Sequence, residues 1–251
     1  MSPVTSHPPA RSQQKDPPAS FAEHLEELRR RLGISLASLL VAVGICATQV
    51  ERVIGWLKRP AEPLVSRLVY FNPTEPLTAY LEVAVLCGLI LSMPVFLFEL
   101  WGFIRSGLSA RERSWGLTFI WGGSALFVSG VAFAYTVVLP LSLHVLFSFG
   151  RSLLVPVISL QQYLEFVTSI LFWCGVLFEL PAVVWLLAVV GVVTTEWLRQ
   201  QRPYAVLILV MLAAVITPTT DAVSLVLMTL PLVALYEISI LLTRSLPRRR
   251  T

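Results

Sequence analysis

One carboxylate stands where the sequence is otherwise apolar. In "FVTSILFWCGVLFELPAVVWLLAVVGVV", Phe166–Val193, Glu179 lies two residues before Pro181. A carboxylate at the middle of a membrane helix costs roughly 2.5–3.5 kcal/mol on insertion scales, so something must offset it. Loss of its charge, a wet cavity or a partner would each do so. Pro181 removes a backbone donor and frees a carbonyl one turn back, which kinks the helix. An acid near such a bend suits the wall of a concave, partly polar face. The plainer reading is an acid bonded to a neighbouring helix for packing specificity, and the residues alone leave both open.

The other acids look more ordinary. Glu82 and Glu99 sit near opposite ends of the second apolar run, within reach of headgroups. Glu237 lies in the last run, and Asp221, in "PTTDAV", reads as a structural turn former. Glu26 and Glu27 precede Arg30 and Arg31 by four residues, the favourable orientation for helical ion pairs. Spacing alone therefore predicts a solvated, self-paired helix face, docked through a stripe of Leu25, Leu28 and Leu32.

Catalytic chemistry finds little support. Ser124 has no nucleophile elbow around it, and His144 falls in a predicted loop. Cys46, Cys87 and Cys174 lie in apolar runs without a C-x-x-C spacing. There is no metal-ligand cluster, phosphate loop or dinucleotide fingerprint. The residues predict neither an enzyme nor a cofactor nor a metal site.

The elements that carry these residues follow from composition. The chain has 251 residues, 56% hydrophobic and 14% charged, with mean hydropathy +0.76. Soluble domains are nearer a quarter charged, so this is an all-α polytopic membrane protein in contact with the lipid bilayer. Its net charge of +4 reflects headgroups and topology, not nucleic acid. Residues 1–19 are proline-rich and polar, predicting a disordered cytoplasmic tail. Residues 20–251 read as a single transmembrane domain whose leading helix, 20–31, opens at the capping box "SFAE", Ser20 to Glu23.

Six spans are predicted: Leu32–Val50, Leu77–Phe98, Trp115–Leu139, Phe166–Val190, Tyr204–Thr217 and Ser224–Leu242. The fifth is short, which implies a thinned bilayer or shelter by neighbours. With this layout 14 of the 19 lysines and arginines fall on one side, so the positive-inside rule puts both termini in the cytoplasm. The outer loop after the first span contains "RVIGWLKR", amphipathic enough to lie on the membrane surface.

Several stretches, in order, resemble one family. "HLEELRRRL" (His24–Leu32) is similar to the leading helix of TatC, the multi-spanning receptor of twin-arginine protein export. "MPVFLFELWGFI" to "RER" (Met93–Arg113), "FAYTVVLPL" (Phe133–Leu141) and "GVLFELP" (Gly175–Pro181) resemble its second to fourth spans. "RPYAVL" (Arg202–Leu207), "ITPTTD" (Ile216–Asp221) and "LPLVALYEISI" (Leu230–Ile240) follow. The chain departs from the pattern at Ser106 and Ser109, where a proline and an aromatic are common. It departs again at Leu225, where glutamine is common, and at Glu82, often basic.

The resemblance implies a non-enzymatic receptor in the bacterial cytoplasmic membrane. It would bind twin-arginine signal peptides of folded proteins and assemble with TatA and TatB-type single-span partners and with itself. The proton-motive force would drive transport. Glu27 and Glu112 would meet the two arginines, with Leu25, Arg29 and Phe103 shaping the same site. Glu179 would line the concave face, Thr217 would contact a partner helix, and Pro63 would be structural, as would Pro181 at the bend. A guanidinium and a carboxylate form a bidentate pair that lysine reproduces poorly, so the implied pairing is chemically apt. The alternative is a proton-coupled small-solute transporter with Glu179 as relay.

Overall fold

The structure, a computed structural model, describes residues 21–62, 68–105, 108, 112–148, 157–216 and 222–244. The capping serine, the proline-rich tail, Pro63, Thr217 and Asp221 lie outside these residues.

Apolar runs this long leave backbone groups no partner but one another in hydrocarbon, so they form helices. The chain opens with α1 (Phe21–Ala47), a break at Thr48–Gln49, and α2 (Val50–Lys58). A short strand, β1 (Leu68–Val69), leads into α3 (Glu75–Ile104). A 3-10 turn at Glu112–Trp115 starts α4 (Gly116–Phe133), which continues through a π turn (Ala134–Val138) into α5 (Leu139–Ser148). Strand β2 (Ile158–Ser159) precedes α6 (Leu160–Phe178) and α7 (Leu180–Val190). Then come α8 (Thr195–Gln200), α9 (Arg202–Ile216) and α10 (Ala222–Arg244).

Where they are described, the predicted spans are helical apart from the breaks at Thr48–Gln49 and Glu179. Among the described residues, five segments are long and apolar enough to cross a membrane: His24–Ala47, Glu75–Ile104, Glu112–Ser148, Leu160–Val190 and Leu225–Arg244. At 15 residues, α9 is the shorter apolar helix. It measures about 22 Å, against a hydrocarbon core of roughly 30 Å. The third span does not stop at Leu139 as expected, and His144 is helical. Pro140 cannot donate to the carbonyl of Thr136 and its ring would crowd that carbonyl. The π turn just before it widens the helix and lets it continue.

Helix α6 runs through the centre. Leu164, Val167, Ile170, Leu171 and Cys174 are buried in one core with Ala79 and Val83 of α3, Ala134 of the π turn and Leu139 of α5. The amphipathic helix α2 does not lie free on a membrane surface. Its Val50, Ile54 and Leu57 are buried in this core. Its last carbonyls are claimed by the protein: Tyr135 Oη donates to Trp56 O at 2.8 Å and Tyr163 Oη to Leu57 O at 2.6 Å.

The same end of the bundle is stitched further. Strands β1 and β2 pair in parallel, Leu68 with Ile158 and Val69 with Ser159. Ser159 Oγ accepts from Gln161 N at 3.2 Å, capping α6, and donates to Glu75 Oε2 at 2.5 Å. Glu75 begins α3, where a carboxylate complements the helix dipole. Its other oxygen accepts from Asn72 N at 3.2 Å.

Helix α1 packs along α3, but not through the expected leucine stripe. Leu25, Leu28 and Leu32 are 50%, 44% and 63% exposed. The docked face instead carries Ser35 and Ala42, both buried, in line with Arg31. In hydrocarbon a leucine gains nothing by leaving lipid for protein, so small residues that permit close approach make the contact.

Candidate functional site

The end of the bundle opposite the strand pair holds the N-terminus of α1 and the C-terminus of α3. A helix turns about 100° per residue, so Glu27 and Arg31 share one stripe of α1. On α3, Glu99, Gly102 and Phe103 share another.

Arg31 joins the two stripes. Its Nη2 and Nε both donate to Glu27 Oε1, at 2.7 and 3.0 Å, and its Nη1 donates to Glu99 Oε2 at 3.0 Å. The pairing of Glu27 with Arg31 is the one that the four-residue spacing predicted. Glu99 was not expected here: it is 8% exposed and holds a guanidinium instead of reaching headgroups. Its signal was nonetheless present, because it stands one turn before Phe103 on the same stripe.

Gly102 completes the slot. A Cβ there would collide with the Arg31 guanidinium, so the bare backbone of α3 is what lets the arginine lie between the helices. At the rim, the rings of His24 and Phe103 stack with centroids 4.5 Å apart. Behind it, Trp101 packs on Phe119 and Trp185, at 5.4 and 6.2 Å, fixing the end of α3 against α4 and α7.

Of the residues expected at one site, Glu27 lines the slot, and Phe103 stands on the same stripe of α3 as Glu99, stacked on His24. Leu25 and Arg29 are exposed and lie roughly 160–200° around α1 from Glu27, on its outward side. Glu112 opens the 3-10 turn at the same end of the bundle and is half-buried. That turn is tied to the preceding loop by Arg113 Nε, which donates to Leu108 O at 3.1 Å.

Glu179 lies apart, at the break between α6 and α7. Its own N–H donates to Val176 O at 3.1 Å, three residues back instead of four, and Pro181 enters at the start of α7. The helix is therefore interrupted two residues before Pro181. The side chain is 7% exposed, and neither carboxylate oxygen has a hydrogen-bond partner among the described residues. It faces Gly123 of α4, where an added Cβ would stand 3.2 Å from Oε2. Glu237, in contrast, is paired: Arg202 Nη2 donates to its Oε2 at 2.6 Å, joining α9 to α10 at an exposed position.

Comparison with known proteins gives the family. Residues 23–231 match the family described as Sec-independent protein translocase protein (TatC). The chain is 36% identical to the TatC protein of Koribacter versatilis, over 88% of this chain and 83% of that one. It is 37% identical to that of Aquifex aeolicus, over 92% and 97%. A crystal structure of the twin-arginine translocase receptor TatC in DDM superposes with a TM-score of 0.77 at 38% identity, covering 88% of this chain and 99% of that one. With a family match across most of its length, and relatives matched nearly end to end, the chain belongs to the TatC family.

Proposed function

We infer that this TatC-family chain is the receptor subunit of twin-arginine protein export and that it meets the signal's arginines at the free end of α1 and α3. The observation that carries the reading is the grip on Arg31. Glu27 and Glu99 hold a guanidinium through three hydrogen bonds beside a glycine and an aromatic rim. A site that binds one guanidinium in this way has the chemistry to bind another. Glu112, at the same end, supplies a carboxylate for the second arginine. Leu25 and Arg29, turned outward, are placed for the flanking residues of the signal or for lipid, not for the arginines.

The basic residues support a cytoplasmic setting for this end and for both termini, in a bacterial cytoplasmic membrane. Single-span TatA and TatB-type proteins, self-association and the proton-motive force complete the proposal. Thr217, with the neighbouring helices α9 and α10, is the proposed partner contact. Glu179 is the proposed membrane-depth acid of the concave face. The relatives are translocase proteins, which favours this reading over a solute transporter built on Glu179.

The test is site-specific photocrosslinking of a twin-arginine signal to membranes carrying the protein. Glu27→Ala and Glu112→Ala should each reduce the adduct strongly, and a substitution at exposed Trp121 should not. Unchanged adducts in both glutamate variants would overturn the assignment.

A further inference from the structure

We propose that Arg31 is a resident guanidinium that occupies, in the empty receptor, the slot taken by an arginine of the signal, and that Glu99 is the second carboxylate of that slot. The proposal rests on the receptor reading above and extends it in two ways. It adds a specificity-determining residue, and it makes the first step of binding an exchange of one arginine for another.

The slot is built for a planar, forked cation. Glu27 and Glu99 come from different helices and take different edges of the same guanidinium. Gly102 leaves the floor open for a flat group. An ammonium is a compact point charge and cannot span both acids with the same geometry, so the slot discriminates arginine from lysine without further parts.

The slot is also graded in access. The side chain of Glu27 is 28% exposed, that of Arg31 16% and that of Glu99 10%. An incoming arginine meets Glu27 first, at the rim, and then replaces Arg31 on Glu99. Arg31 has somewhere to go, because exposed Leu28 and Leu32 lie only about 60–100° around α1 from it, an arc a long arginine stem can cross to carry the charge to lipid headgroups. Neither acid is left without a cation during the exchange. That matters because an uncompensated buried charge is costly.

Internal occupation lowers apparent affinity by the fraction of time the slot is vacant. Removing Arg31 should therefore tighten binding, the opposite of what loss of a signal contact or of a positioning residue would do.

The experiment is a titration of a fluorescent twin-arginine signal peptide into the purified full-length chain in detergent, with a twin-lysine peptide as control. Arg31→Gln should tighten the twin-arginine peptide roughly tenfold, as for a slot otherwise vacant about a tenth of the time. In that background Glu99→Gln should weaken it again and narrow the gap between the two peptides. If the wild type discriminates the peptides but Arg31→Gln binds equally or more weakly, resident occupation is wrong and the receptor reading stands. If Glu99→Gln leaves affinity and discrimination unchanged, Glu99 is not in the slot. If the wild type does not discriminate the peptides, the receptor reading fails first. Should Arg31→Gln not fold, Arg31→Lys keeps the charge without the fork and should show a smaller tightening; no tightening there overturns the proposal.

Discussion

The tetrapeptide Leu-Phe-Glu-Leu occurs twice in this chain, at Leu97–Leu100 and Leu177–Leu180. Both copies sit in apolar helices and both acids are buried, Glu99 to 8% and Glu179 to 7% exposure. There the likeness ends. Glu99 lies in unbroken helix close to the end of α3, and a guanidinium from α1 reaches it. Glu179 stands at a helix break deep in its segment, with nineteen residues of α6 before it and eleven of α7 after it, and faces a glycine. The same four residues thus make one wall of an ion-pair slot and one acid with no hydrogen-bond partner among the described residues. What separates them is the neighbouring helix: α1 offers an arginine, and α4 offers space.

Stability measurements by thermal unfolding in detergent can break this comparison or sharpen it. The largest effect should come from Arg31→Met, which strands the carboxylate of Glu99. Breaking such a pair from one side should cost about 3 kcal/mol. The double change Arg31→Met with Glu99→Met should recover part of the loss, since the burden is the unpaired charge and not the missing bond. Next comes Glu99→Gln, which keeps the shape and weakens a charge-assisted bond, at about 1.5 kcal/mol. Glu179→Gln should do less, under about 0.5 kcal/mol, because no hydrogen bond among the described residues is lost. If it matches Glu99→Gln, Glu179 has a partner in the membrane and the contrast collapses. Smallest of all should be Arg202→Ala at the exposed pair with Glu237, a few tenths of a kcal/mol that added salt erases.

The helices were legible because hydrocarbon leaves the backbone little choice, and each apolar run became a helix at nearly its predicted place. The Glu27–Arg31 pair was legible because it is local, one turn of one helix. Glu99 was read as an interfacial acid because its partner comes from another helix, 68 residues away in sequence. The docking face of α1 was misjudged for a different reason. A leucine stripe marks the buried face in water, and in lipid that inference fails. The extended third helix was hidden by Pro140, which reads as a stop unless a π turn intervenes. Leu25 and Arg29 came to the site through family resemblance, and helix geometry turns them away from Glu27.

That π turn has a consequence for the history of the gene. Gly130, Ala134, Val138 and Ser142 are all buried and are spaced by four. In an ideal helix each such step would swing the buried face by about 40°. The wide turn cancels the drift, as a single inserted codon would. Deleting one residue within Ala134–Val138 should restore regular winding and leave Leu139 and Leu143 facing the core as before, whereas the same deletion a turn earlier or later would rotate them away by about 100°. A one-codon deletion here should therefore be tolerated better than one elsewhere in the same span, which marks the π turn as the place where this helix can gain or lose a residue.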